Sequence, residues 1–111
     1  MTLSAERLAR NQALFREVNE RLFEVVTATT VSFRECICEC SDPGCTKSLA
    51  VTTSEYEAIR SNPKHFLIAR GHEMPEVERV VEDNERFLTV AKTVETEFMV
   101  ESDPRSPSEG T

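Results

Sequence analysis

Residues 4–26, SAERLARNQALFREVNERLFEVV, place apolar side chains at helical spacing. Leu8, Phe15 and Leu22 fall seven apart, and Val18 and Val25 take the complementary positions, a coiled-coil-like stripe of about three heptads. Asn11 occupies the remaining position of that seam, where a polar residue fixes register, while Leu14 and Phe23 widen the apolar face. Ser4 is placed to cap the helix, and Glu6 lies in the first turn, where the helix dipole favours a carboxylate. Such a helix either packs on its own small domain or pairs with a second copy or a protein partner.

Beyond the β-branched run Thr27–Thr30 the period changes. VSFRECIC at 31–38 alternates as a strand does, and SDPG at 41–44 has turn chemistry, with Pro fixing φ and Gly permitting positive φ. A short strand is expected at Ser48–Thr52, followed by a helix over Thr53–Ser61 that opens on a Thr52/Glu55 capping box and stops at Pro63. His65–Ala69 reads as a strand and Gly71–Pro75 as a loop. Residues 76–93 fit either a short helix followed by a strand or a hairpin with strands at Val77–Glu82 and Arg86–Ala91; the alternation of Val77, Arg79 and Val81 with glutamates favours the hairpin. The expectation is an α+β fold: a long N-terminal amphipathic helix within residues 1–30, an α+β domain at 31–101 with a small, mainly antiparallel sheet and a second short helix, and a disordered tail at 102–111.

Composition narrows the function classes. The 111-residue chain carries 13 basic and 20 acidic residues, a net charge of -7. Phosphate neutralisation needs clustered surplus Lys and Arg, so direct nucleic-acid binding is not expected. The charge is uneven: residues 4–26 hold four acids and four bases, whereas residues 70–101 hold nine acids and four bases. That second region is a solubilising surface or an acidic face for a basic partner. No window approaches the ~20 apolar residues of a membrane span. Met1–Val18 carries arginines and glutamates where an export signal needs an apolar run, so a cytoplasmic location is expected.

All four cysteines, Cys36, Cys38, Cys40 and Cys45, lie within ten residues, which favours a metal site over a disulfide framework. A thiolate-rich set selects Zn²⁺ or an iron–sulfur cluster. On an extended strand, side chains two apart share a face ~7 Å apart and those four apart stand ~13 Å apart, too far for two sulfurs each ~2.3 Å from one zinc. Cys36 and Cys40 therefore cannot both ligate unless the strand curls. The 41–44 turn folds Cys45 back toward Cys40, and a bend at Glu39 admits Cys38. The fourth ligand stays open: His72, freed by Gly71 to swing inward, ranks ahead of Cys36, with His65 or a carboxylate behind. If His72 ligates, Cys36 is a buried or half-buried free thiol.

FRECICECSDPGC followed by LAVTTSEYEAIRSNPKHFLIARGHEMPEVERVVE resembles a family of short actinobacterial-type proteins. Their pattern joins an Arg- and Glu-rich leading helix, a C-x-C-x₄-C motif, a helix of the EYE type and a GHE segment, and the resemblance spans roughly Arg10–Arg105. It implies a metal site at the matched positions Cys38, Cys40, Cys45 and His72, leaves Cys36 outside the motif, and implies no reaction. Ala69-Arg70 stands where Ala-Pro often precedes the Gly-His pair.

These residues point to a non-catalytic zinc-binding module, with a structural Cys₃His site and a protein partner or a homodimer formed through the leading helix. A second reading is a thiol redox sensor that releases zinc on oxidation, with Cys36 as the resolving thiol. A third is a small zinc enzyme with Glu73 as general base. Ser-His-Asp chemistry and Gly-rich phosphate loops are not legible in a chain with three glycines.

Overall fold

A computed structural model of the chain describes residues 4–25, 33–40, 42–45 and 47–105. The expected end of the first helix at Thr27–Thr30, the first residues of the strand at 31–38, Ser41 of the turn and residues 106–111 of the tail lie outside the described residues.

Helix α1 spans Ala5–Val25, and the Ser4 hydroxyl accepts a hydrogen bond from the Arg7 amide at 3.2 Å, the expected cap. Strands β1 (Phe33–Ile37) and β2 (Ser48–Thr52) pair antiparallel, with Cys36 opposite Leu49. Helix α2 (Thr53–Arg60) opens on the capping box: Thr52 accepts from the Glu55 amide while the Glu55 carboxylate accepts from the Thr52 amide. Strand β3 (His65–Ile68) pairs with β5 (Leu88–Lys92), which pairs in turn with β4 (Glu78–Asp83).

The ambiguous stretch at 76–93 is thus a hairpin. Its turn is closed by Asn84, whose side chain accepts from the amides of Arg86 and Phe87 at 3.1 Å each, and Glu85 takes φ 76° at its tip. The expected alternation breaks down there: Val77 and Glu78 are both buried, whereas Val80 and Val81 both face outward on the edge strand, where a bulge interrupts pairing between Val80 and Glu82. Instead of one small sheet there are two, β1–β2 and β3–β5–β4. They are joined where β1 ends: the Cys38 amide donates to the Lys47 carbonyl at 3.0 Å and the Glu39 amide to the Leu67 carbonyl at 2.8 Å.

Val51, Tyr56, Ile59, Phe66, Leu67, Ile68, Val90 and Met99 form the core between α2 and the sheets. Helix α1 packs over it through a face that is mostly polar. Ala9, Gln12, Arg16 and Asn19 are fully buried, while Leu14, Val18 and Leu22 point to solvent and Leu8 and Phe15 are half-buried. The heptad stripe is therefore not the surface that meets the domain.

The polar face inserts because Gln12, Arg16 and Asn19 each find partners in the body, although Gln12 Oε1 and Arg16 Nε stay buried without one. The Arg16 guanidinium lies 4.7 Å from the centre of the Phe66 ring, donates to the Met99 carbonyl at 2.9 Å and to the Pro63 carbonyl, and stands 3.9 Å from Asp103. Glu20 accepts from the Tyr56 hydroxyl at 2.8 Å, and Phe23 stacks on the Tyr56 ring at 4.0 Å.

A further short helix, α3 (Thr96–Glu101), had no sequence signal. The residues after it correct the expected start of the tail at 102: Asp103 is buried in an ion pair with Arg60, and Arg105 bridges Glu20 at 2.8 Å and Glu57 at 2.8 Å. Residues 102–105 are thus packed into the fold. No helix among the described residues is long and apolar enough to cross a membrane.

Candidate metal centre

Two loops meet at the junction of the sheets. The first follows β1, where Cys38 and Cys40 leave the strand on either side of Glu39 and the chain reverses through Asp42–Cys45. The Cys45 amide donates to the Asp42 carbonyl at 3.1 Å, and the Gly44 amide to the Asp42 carboxylate at 2.9 Å. The second loop follows β3, where Gly71 takes φ 92° and the His72 amide closes onto the Ala69 carbonyl at 3.0 Å. Arg70, on the exposed side of this turn, forks onto Asp83 at 2.6 and 2.7 Å and ties it to β4.

The sulfurs of Cys38, Cys40 and Cys45 and a ring nitrogen of His72 all lie within 4.8 Å of one another. His72 Nδ1 is 3.6 Å from Cys38 Sγ and 3.5 Å from Cys45 Sγ. Bond lengths of about 2.3 Å for Zn–S and 2.0–2.1 Å for Zn–N fix tetrahedral edges of about 3.6 Å for S···N and about 3.8 Å for S···S. The two nitrogen–sulfur separations thus match the S···N edge of a Cys₃His tetrahedron, and Nδ1 is the nitrogen placed to ligate an ion there.

The Ala69 amide donates to Cys38 Sγ at 3.1 Å, and the amides of Asp42 and Lys47 point to the sulfurs of Cys40 and Cys45. Such donors favour thiolates, the form a metal requires. Cys40 gives up its proton most readily: the hydrogen bond from the Cys38 thiol, helped by His72 and the Asp42 amide, outweighs burial and lowers it to about 5. The same contact, with burial, pushes Cys38 up.

Cys36, the alternative ligand, is not in this group. It lies two residues back on β1, buried in the core, where desolvation and the nearby Glu39 charge push its thiol up to about 12. His65 is half-buried at the start of β3, lining a cleft between α2 and the β4–β5 hairpin. Glu73 accepts from the Gly71 amide at 2.9 Å and so braces its own loop. A groove of about 330 Å³ lies against the cluster, lined by Cys40, Asp42, Gly71, His72, Glu73 and Met74.

The residues that hold the two loops together come from α1, and sequence patterning did not single them out. Asn19 donates to the Ile37 carbonyl and to the Glu39 carboxylate, each at 2.8 Å, and accepts from the Ile37 amide at 2.9 Å. Gln12 donates to the Glu39 carbonyl at 2.9 Å and to Glu78 at 3.2 Å. The second oxygen of Glu78 accepts from the Met74 amide at 2.9 Å, in the loop that carries His72. Glu39, between two of the cysteines, also accepts from the Leu67 amide at 3.1 Å. Burial pushes its carboxyl up to about 7 against these hydrogen bonds and the charges of Arg60 and Arg16. The one available sequence signal was that Gln12, Arg16 and Asn19 recur on a single helical face.

Comparison of the chain with protein-family models, with curated proteins and with solved structures returns no match. The site is therefore read from its own geometry.

Proposed function

We propose that the protein is a non-catalytic zinc-binding module in which Cys38, Cys40, Cys45 and His72 hold one Zn²⁺ and the fold so pinned presents a protein-interaction surface. The observation that carries this reading is the clustering of three sulfurs and one imidazole nitrogen within 4.8 Å, with S···N separations of 3.5 and 3.6 Å. Zinc suits a thiolate-rich tetrahedral set, and four protein ligands leave no open position for substrate or water. The ion's contribution there is a cross-link between the turn after β1 and the turn after β3, in a domain whose core is small. Cytoplasmic residence fits a chain in which none of the four cysteines is paired in a disulfide.

Two features weigh against the alternatives. Glu73 accepts from the Gly71 amide of its own loop, an engagement that competes with service as the general base of a zinc enzyme. Cys36 is sealed in the core, a poor position for a resolving thiol.

Native mass spectrometry of protein purified without added metal tests the reading. One zinc per chain is expected, retained in Cys36→Ala and lost in Cys45→Ser with a fall in thermal stability. Retention of zinc through mild peroxide supports a structural pin. Loss of zinc with a disulfide, reversed by reductant, would favour the sensor, and a wild-type chain without metal would sink the proposal.

A further inference from the structure

Helix α1 is held polar side inward by Gln12, Arg16 and Asn19, and this fixes what it shows to solvent. Leu14, Val18 and Leu22 follow at four-residue intervals along its outer side and are 58%, 40% and 43% exposed. Beyond Leu22 the ridge runs on to Phe33 at the start of β1, across a cleft lined by both residues. Their combined exposed surface is of the order of a few hundred Å², the size of the largest apolar patch on a typical monomer, which is often functional.

We propose that this ridge is a self-association surface and that its occupant is the same ridge of a second copy, crossing antiparallel about a two-fold axis at Val18. The ridge is self-complementary. Rotation about that axis sets Val18 against its counterpart and Leu14 of each chain against Leu22 of the other, an isologous contact between two i±4n rows. On the flank away from the body, Glu17 and Arg21 sit one turn apart, 3.5 Å from each other on the same helix. The two-fold carries Arg21 of each copy past Glu17 of the other.

Charge selects this face over the rest of the molecule. Among the described residues the exposed charges of α1 are Glu6 and Glu17 with Arg7, Arg10 and Arg21, in a chain of net charge -7, whereas an approach through the 70–101 region would oppose seven exposed acids and three exposed bases with their like. The apolar centre is small beside the ~800 Å² per partner of a standard interface, so the dimer is a concentration-dependent one in the micromolar range.

The inference stands apart from the metal site and has its own readout. Sedimentation velocity of the full zinc-loaded chain over a concentration series should show a monomer–dimer equilibrium. Val18→Glu should abolish it, with zinc content and thermal midpoint unchanged. Leu14→Arg combined with Leu22→Glu, which the axis brings face to face, should dimerise at least tenfold more tightly than Leu14→Glu combined with Leu22→Glu. A wild-type monomer at every concentration, a dimer indifferent to Val18→Glu, or two double variants of equal affinity would each overturn the proposal. So would loss of the folded state in Val18→Glu, because the ridge would then be covered by its own chain. Zinc content of the same samples reports on the metal reading separately.

Discussion

Asn19→Ala should be among the most damaging substitutions outside the ligand set. The side chain makes three short hydrogen bonds, to both backbone groups of Ile37 and to Glu39, and is itself fully buried. Truncation strands the Ile37 amide and carbonyl and removes a donor from a carboxylate that has no access to water. A buried polar group left without a partner costs about 1–3 kcal/mol. Ile37 is only half-buried, so water recovers part of its loss, and a total of about 3–4 kcal/mol follows. That is a large share of the ~5–15 kcal/mol available to a domain of this size. Urea unfolding of the zinc-loaded protein reads it directly: with a slope of about 1.5 kcal/mol per molar, the midpoint should fall by about 2 M. Zinc affinity, by competition with a chelator, should weaken about 10–100-fold, because Asn19 orients the segment between Cys38 and Cys40. Asn19→Asp should fare no better at neutral pH, since it sets a carboxylate against Glu39, and should recover on mild acidification. A loss below about 1 kcal/mol with unchanged zinc affinity would refute the role given to Asn19, because a solvated asparagine costs no more than that.

Two further outcomes follow from the fold. Burial alone would raise the Asp103 carboxyl, but hydrogen bonds from Arg60 and the Arg105 amide, with the Arg16 charge, hold it below the ordinary range; Glu20 is likewise lowered, with Arg105 and Tyr56 outweighing its burial. Both groups bind their proton less readily folded than unfolded, so their stabilisation is complete above the ordinary carboxylate pKa of about 4 and fades as pH falls through the lower folded values. Asp103→Asn should cost about 3 kcal/mol at pH 7 and progressively less on acidification, measured as the difference in thermal midpoint from wild type, in which thiolate protonation common to both cancels; a difference independent of pH would contradict it. Gly71→Ala should cost about 1–2 kcal/mol from backbone strain, because φ is 92° and no atom lies within 4 Å of an added Cβ, while Gly71→Asn should cost less. Equal stability of all three chains in urea would show that the loop relaxes to negative φ.

Much of the local structure was legible in the residues. Ser4 capping α1, the Thr52–Glu55 box opening α2 and the turn that returns Cys45 toward Cys40 are short-range chemistry and read as such. The orientation of α1 was not. Its apolar stripe is the better hydrophobic face, yet Gln12, Arg16 and Asn19 take the interior because their partners lie 18 to 83 positions away, at Ile37, Glu39, Pro63 and Met99. Local periodicity holds no record of such partners. The same holds for Glu78, buried where the alternation of β4 favoured the valines, since Gln12 and the Met74 amide satisfy its carboxylate. Asp103 and Arg105 looked like tail residues because the groups they serve, Arg60, Glu20 and Glu57, sit elsewhere in the chain.

The buried face of α1 also sets an order of events during synthesis. Met99 and Arg105 leave the ribosome 83 and 85 residues after the Arg16 and Glu20 they will contact. Until then an arginine destined for the interior has the Pro63 carbonyl but neither the Met99 carbonyl nor the Asp103 carboxylate, and docking the helix would leave its charge poorly compensated. The nascent segment therefore waits, solvated, until the chain that completes its underside arrives. Contacts so distant in sequence make the docking of α1 a late step and slow it relative to folds built from local contacts.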